Sequence, residues 1–185
     1  MVTTAWINSP VGRLLLAAEG ERLCGLWIEG QKYFAATLTG PTEERPDLPV
    51  FGDAARWLEA YFARQKPDPN QLPLAPQGSA FRRVIWSLLC EIPCGALTTY
   101  GDLAAKAAAR LGRVRLSAQA VGGAVGHNPI SIIIPCHRVV GADGSLTGYA
   151  GGLAVKRQLL ALEGADPEEF ARQRAAARRT GGGCG

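Results

Sequence analysis

Cys136 and His137 are neighbours in "SIIIPCHRVVGADG", residues 131 to 144, directly behind a proline and an apolar run. An ionised thiol is a strong nucleophile, and an imidazole exchanges protons near neutral pH. Three chemistries fit such a pair: a small buried hydrophobe, a metal ligand, or a nucleophile beside its base. Most free cysteines are the first. The second lacks partners: Cys90 and Cys94 share a helical spacing, but no second pair or histidine sits near them to complete a zinc shell, and His127 is the one other histidine. No metal is expected. The third gains from Arg138, since a cationic or proton-accepting neighbourhood lowers a thiol's pKa from about 8.5. Adjacent residues of an extended chain point to opposite faces, so a Cys136–His137 contact needs a turn or a bridging water. An imidazole base is usually oriented by a carboxylate, and spacing leaves Asp102, Asp143 and Glu163 all eligible. Residue type and position favour the nucleophile.

The run "ISIIIP" ahead of Cys136 is β-branched and reads as a buried strand ending at Pro135. Upstream, "TTAWINS", "RLLLAAE" and "RLCGLWIE" read as three strands separated by Pro10-Val11-Gly12 and Gly20-Glu21, an antiparallel meander. "GPTEERPDLP" is a loop by composition. "FGDAARWLEAYFARQ" carries Phe51, Ala54, Trp57, Leu58, Tyr61 and Phe62 on one stripe, which predicts an amphipathic helix packed on that sheet. The four prolines of "KPDPNQLPLAPQG", residues 66 to 78, predict a linker and a domain boundary. Beyond it, "SAFRRVIWSLLCEIP", "TTYGDLAAKAAARLG" and "SAQAVGGAVGHNP" each begin on a cap-competent Ser or Thr and end at Pro or Gly. The last two, joined by "RVRL", have the shape of a helix-turn-helix.

The second helix of that pair is nearly bare of side chains: Ala118, Ala120, Gly122, Gly123, Ala124 and Gly126. Glycine inside a helix costs about 1 kcal/mol against alanine. Either the helix packs tightly on the core, or it must lie close to an external surface such as a nucleic-acid backbone. Only Gln119 resembles a base-reading side chain, which argues against ordinary sequence readout.

The fold class expected is α+β, an α/β composition. It comprises an N-terminal unit of antiparallel sheet and helix (1–78), a mostly helical helix-turn-helix unit carrying the active site (79–165), and a basic, mobile tail (166–185) whose "RQRAAARR" reads as a solvated helix or frayed end. The chain is 47% hydrophobic and 19% charged, enough for a core. Its net charge of +4, mostly arginine, is compatible with a polyanion and decides nothing alone. Five scattered cysteines make no disulfide framework. With no apolar run of about 18 residues and no secretory start, a cytoplasmic location is expected.

"NPISIIIPCHRVVGADGSLTGYAGGLAVKRQLLALEG" resembles the active-site segment of the O6-alkylguanine-DNA alkyltransferases, also called methylated-DNA–protein-cysteine methyltransferases. Asn128, Pro135-Cys136-His137-Arg138-Val139, "GYAGG" and Glu163 follow that family's order and spacing. The similarity extends through "FRRVIWSLLCEIPCG", "TTYGDLA" and "AVGG", covering about residues 79 to 164. The resemblance implies that Cys136 takes the alkyl group from guanine O6 in one displacement. It implies that His137 draws the thiol proton through a water, Glu163 orients the imidazole, Asn128 braces the chain, and Tyr100 donates to guanine N3. Backbone groups at Val139 would read the purine edge, and Tyr149, Ala150 and Gly151 would wall the pocket. No cofactor is implied.

The implied partner is double-stranded DNA, met in its minor groove by Ser117, Ala118, Gln119, Ala120, Gly122 and Gly123, with Arg138 as a further contact. A monomer is expected, cooperative binding along DNA being left open. A stacked base cannot present O6 to a buried sulfur, so it must be rotated out. One departure stands out. Gln119 occupies a position where that family usually carries an intruding arginine, so weaker binding or slower flipping is expected, unless Arg113 or Arg115 substitutes. The competing functions are a lesion recogniser that flips without repairing, and a cysteine hydrolase using His127. The former lacks the cysteine that is present here. His127 reads better as a cap near Asn128.

Overall fold

The computed structural model describes residues 1–181. Beyond Gly181, the glycine-rich end expected to be flexible, with Cys184, lies outside the described residues.

The meander forms as its alternation demands. β1 (Val2–Ser9), β2 (Gly12–Glu19) and β3 (Arg22–Ile28) pair antiparallel in sequence order, and Gly12 and Gly20 take the left-handed φ that the two tight turns require. A short strand that composition hid, β4 (Thr42–Glu44), runs parallel to β1, giving the order β3-β2-β1-β4. Its residues are all exposed, so no apolar pattern announced it. α1 (Pro49–Phe62) starts on a proline at its first turn and buries Phe51, Ala54, Trp57, Leu58 and Tyr61.

The proline-rich stretch is no free linker. Leu23 donates its N–H to Pro73 O at 2.9 Å and accepts from Ala75 N at 2.8 Å, so residues 73–75 are strapped along β3. α2 (Ala80–Cys90) follows, then a two-residue strand β5 (Thr98–Thr99), α3 (Tyr100–Arg110), α4 (Ala118–Gly126) and β6 (Val139–Val140), which pairs with β5. Ser79, Thr99 and Ser117 each accept a first-turn N–H, capping α2, α3 and α4. α3 and α4 are the expected helix-turn-helix. α5 (Leu153–Glu163) ends on left-handed Gly164, and α6 (Pro167–Gly181) occupies the expected tail as a helix. It is joined to α3 by Arg174, which bonds Asp102 at 2.6 Å. One apolar cluster runs from Leu16 and Leu26 through Trp57 and Tyr61 to Trp86, Val125, Ile132 and Leu159, so the two halves share a core.

The expected strand at "ISIIIP" is absent. Its isoleucines are buried as foreseen, but only Ile130 makes a bridge, to Leu26, and the chain then turns with Ile132 at a φ of 70°. Asn128 explains the outcome. Its Oδ1 accepts from Ile130 N at 3.0 Å and its Nδ2 donates to Ile134 O at 2.8 Å, so a side chain satisfies backbone groups that a ladder would otherwise need. The segment is pinned to the edge of the first sheet by Leu26 N to Pro129 O and Ser131 N to Leu26 O.

Candidate active site

Because the isoleucine run turns, Cys136 opens a single 3-10 turn, Cys136–Arg138, instead of ending a strand. The turn replaces the extended dipeptide whose two side chains would point to opposite faces. Cys136 is 5% exposed, and Asn128 Nδ2 donates to its Sγ at 3.2 Å. Burial raises the thiol's pKa, against the lowering influence of Asn128 and Lys156. The resting group is therefore a protonated thiol: desolvation outweighs the neighbours that were expected to lower its pKa.

His137 is fully buried. Of the three eligible carboxylates, Glu163 is the one that meets it, with Nε2 and Oε1 2.6 Å apart. Asp102 pairs with Arg174, and Asp143 holds the N–H of Ser145 in the loop. Burial disfavours the Glu163 carboxylate, yet the hydrogen bonds of His137 and Arg138 and the charge of Arg138 together hold it ionised, far below the usual range. An ionised carboxylate only accepts, so Nε2 carries the proton and Nδ1 is the basic nitrogen. Nδ1 has no hydrogen-bond partner among the described residues. Burial also lowers the pKa of His137, Glu163 acting in the opposite sense, so the imidazole rests neutral.

Arg138 is 4% exposed, which leaves it little surface for the DNA contact expected of it. Its Nε and Nη2 bond Glu163 at 2.9 and 3.0 Å and its Nη1 donates to Ile92 O, leaving the side chain buried as a counter-ion. Gly95 N completes the carboxylate's shell at 3.2 Å.

Beside this relay opens a cavity of about 400 Å³ lined by Tyr33, Tyr100, Gly122, Gly123, Tyr149 and Ala150, among others. Cys136 lies close enough that its charge would raise the pKa of Tyr100 and Tyr149. Tyr100 donates to Thr147 O at 2.8 Å, and the buried Tyr149 hydroxyl has no partner among the described residues. Gly151 stands behind the wall: a Cβ there would meet the Tyr149 ring at 2.8 Å and Ile28 at 2.9 Å. Val139 is buried and is not among the residues lining the cavity, and its carbonyl is held by Lys156 Nζ at 2.6 Å. A larger cavity, about 690 Å³ between α2 and the 70–77 strap, contains none of this chemistry.

On α4, Ser117, Ala118, Gln119, Ala120 and Gly123 are exposed and Gly122 half-buried. A Cβ at Gly123 or Gly126 would meet nothing within 4 Å, and at Gly122 only ordinary contact with Tyr100. Internal packing thus does not require these glycines. His127 caps α4, its Nδ1 lying 2.7 Å from Gly123 O, and its ring stacks on Tyr33.

Two residues at the site escaped the sequence reading. Lys156 is completely buried on the face of α5 shared with Leu159, Leu160 and Glu163. A lysine at apolar spacing was the available signal. Tyr61, from α1, donates to Glu163 Oε1 at 2.7 Å. Nothing distinguished it from its stripe of core residues.

Known proteins supply the context for this arrangement. Residues 80–165 match the family model described as 6-O-methylguanine DNA methyltransferase, DNA binding domain, and residues 2–76 its ribonuclease-like domain. The methylated-DNA–protein-cysteine methyltransferase of Haemophilus influenzae is 46% identical over 156 residues, 84% of this chain and 82% of its own length. That of Methanosarcina barkeri is 44% identical over 158 residues, 85% and 94%. The crystal structure of Mycobacterium tuberculosis OGT in complex with DNA superposes with a TM-score of 0.74 at 38% identity, covering 92% of this chain and 98% of that one. Matched in both halves by one family, with a buried Cys136 followed in sequence by a buried His137 that pairs with Glu163, the chain belongs to the 6-O-methylguanine-DNA methyltransferases.

Proposed function

We propose that the chain repairs O6-alkylguanine in duplex DNA by moving the alkyl group onto Cys136 Sγ, once per molecule. One observation carries this most directly: Glu163 fixes His137 through Nε2, so the imidazole's basic nitrogen is Nδ1, in the residue next to a sulfur braced by Asn128. Through a water, Nδ1 takes the thiol proton as sulfur attacks the alkyl carbon. The S–C bond forms, the C–O6 bond breaks, and its electron pair leaves on guanine, which Tyr100 assists by turning its hydroxyl proton from Thr147 O to N3. The imidazolium is stabilised by ionised Glu163. A thioether is a dead end, because no group among the described residues is placed to regenerate the thiol.

DNA is met in the minor groove by the bare face of α4, where Gln119 and the open glycines allow close backbone approach. Val139, Ala150 and Gly151 shape the purine's seat, and Tyr149 walls it. The monomer suffices, and chromosomal DNA as substrate fits the cytoplasmic location expected from sequence. Among the described residues no helix is long and apolar enough to cross a membrane. Duplex carrying labelled O6-methylguanine tests the proposal. Label should move to protein, at most one equivalent, and not at all in Cys136→Ala. Tight binding without transfer would make the protein a lesion recogniser instead.

A further inference from the structure

Tyr61 lies in the first half of the chain, yet its hydroxyl bonds the same carboxylate oxygen that holds His137: Oε1 is 2.7 Å from the phenol and 2.6 Å from Nε2. The hydroxyl also stands 3.4 Å from Nε2 itself. The side chain is 3% exposed, with its ring stacked on Trp57 and edge-on to Phe62 and to His137. Packing needs the ring alone; the hydroxyl is the part that reaches the relay.

We propose that Tyr61 is a positioning residue for alkyl transfer: its hydroxyl holds part of the charge on Glu163 Oε1 and so sets how strongly Glu163 draws on His137. This deepens the alkyl-transfer reading and rests on it. It makes the first half of the chain a working part of a relay whose other members all lie beyond the proline-rich strap.

The surroundings fix the sign. Around the imidazole stand Glu163, which favours its protonation, and Arg138 and Lys156, which oppose it, with Tyr149 edge-on at 6.4 Å. Tyr61 itself faces Glu163, Arg138 and the Cys94 thiol. Tyr61, Arg138 Nη2 and His137 Nε2 share the electron density of Oε1. Without the phenol proton, that density returns to the Nε2–H bond, the imidazolium gains, and Nδ1 is protonated at higher pH. With Tyr61 and His137 both shut off from solvent, bulk water is a poor substitute.

Tyr61→Phe removes only the hydroxyl. In the full chain, single-turnover transfer from O6-methylguanine duplex should be followed from about pH 5.5 to 9, with the His137 side-chain N–H read by NMR in a chain of two histidines. The acid limb should move up by roughly half to one pH unit, a loss of about three- to tenfold at its foot, while rates converge at alkaline pH. The Nε2 proton should move downfield. In a folded Tyr61→Phe, an unmoved limb and resonance overturn the proposal, however much rate or stability is lost. If Tyr61→Phe does not fold, protein grown on 3-fluorotyrosine decides. The more acidic phenol donates more strongly, so the Nε2 proton should move upfield, and no movement overturns the proposal. Wild-type protein that transfers nothing at any pH refutes alkyl transfer itself, while the resonance still decides the Tyr61 coupling.

Discussion

Glu163→Gln keeps the shape of the relay's carboxylate and deletes its charge. Tyr61 Oη and His137 Nε2 donate to Oε1, Gly95 N and Arg138 Nε to Oε2, and Arg138 Nη2 to Oε1 as well. An amide keeps one acceptor and turns the other into a two-hydrogen donor. Whichever way it is flipped, its NH₂ meets donors. The side chains of Arg138 and Glu163 are 5% and 1% exposed, so the guanidinium is left uncompensated where water is nearly excluded. Removing one partner of a buried pair costs about 3–5 kcal/mol. Against a total stability of about 5–15 kcal/mol, the variant should be marginally folded.

The pH dependence follows from the sign of the Glu163 shift. Its carboxyl titrates lower in the folded chain than in the unfolded one, burial being outweighed by His137 and Arg138. Its stabilisation is therefore complete above the ordinary carboxylate pKa, about 4.3, and lost as pH falls below it. Urea unfolding followed by tryptophan fluorescence should show the full gap between wild type and variant at neutral pH, narrowing below about pH 4. A gap under about 1 kcal/mol at neutral pH, or one that widens on acidification, would refute the reasoning.

Gly123→Ala should raise stability by about 1 kcal/mol, since its Cβ meets open space, while weakening duplex binding. A stabilised variant that binds DNA undiminished would remove the close-approach role of α4. Gln119→Arg should tighten duplex binding and steepen the slope of log affinity against log salt by about 0.9; an unchanged slope would show that no phosphate is gained. Burial lowers Lys156 from its ordinary value to about 8. Between that pH and about 10.4 the unfolded chain holds a proton that the folded chain does not, so wild type should gain up to about 3 kcal/mol on Lys156→Met as pH rises across the window. Unfolding of both proteins at the two ends checks this, and a constant difference would contradict it.

The sequence was legible where one local rule decided the outcome. The meander followed from alternation and glycine turns, and α2, α3 and α4 from their caps. The cysteine–histidine pair stood out by residue type. The reading failed where a hydrogen bond from outside the run overrode the local rule. β-Branched "ISIIIP" became a turn because the Asn128 amide bonds both ends of it. Arg138, next to a nucleophile and plausible as a DNA contact, was claimed by a carboxylate 25 residues away. The prolines of the strap hid a pairing that uses the N–H of Ala75 and the carbonyl of Pro73. In each case the deciding hydrogen bond came from outside the run itself, and periodicity carries no information about it.

The raised thiol pKa is coherent with chemistry performed once per molecule. A standing thiolate would meet any soluble electrophile, and each such encounter would consume a protein. Burial keeps Cys136 protonated and shielded, while Asn128 and Lys156 favour the charge only in part. In the proposed transfer, ionisation then coincides with a purine in the cavity, when the proton passes to Nδ1 and the imidazolium is met by Glu163. The groups that make this coincidence come from four places: the Asn128 turn, the 136–138 turn, α5, and through Tyr61 the first half of the chain. The shared core is what fixes their relative positions. The first half therefore supports the chemistry twice, by pinning the active-site segment to the edge of its sheet and by placing one phenol on the relay.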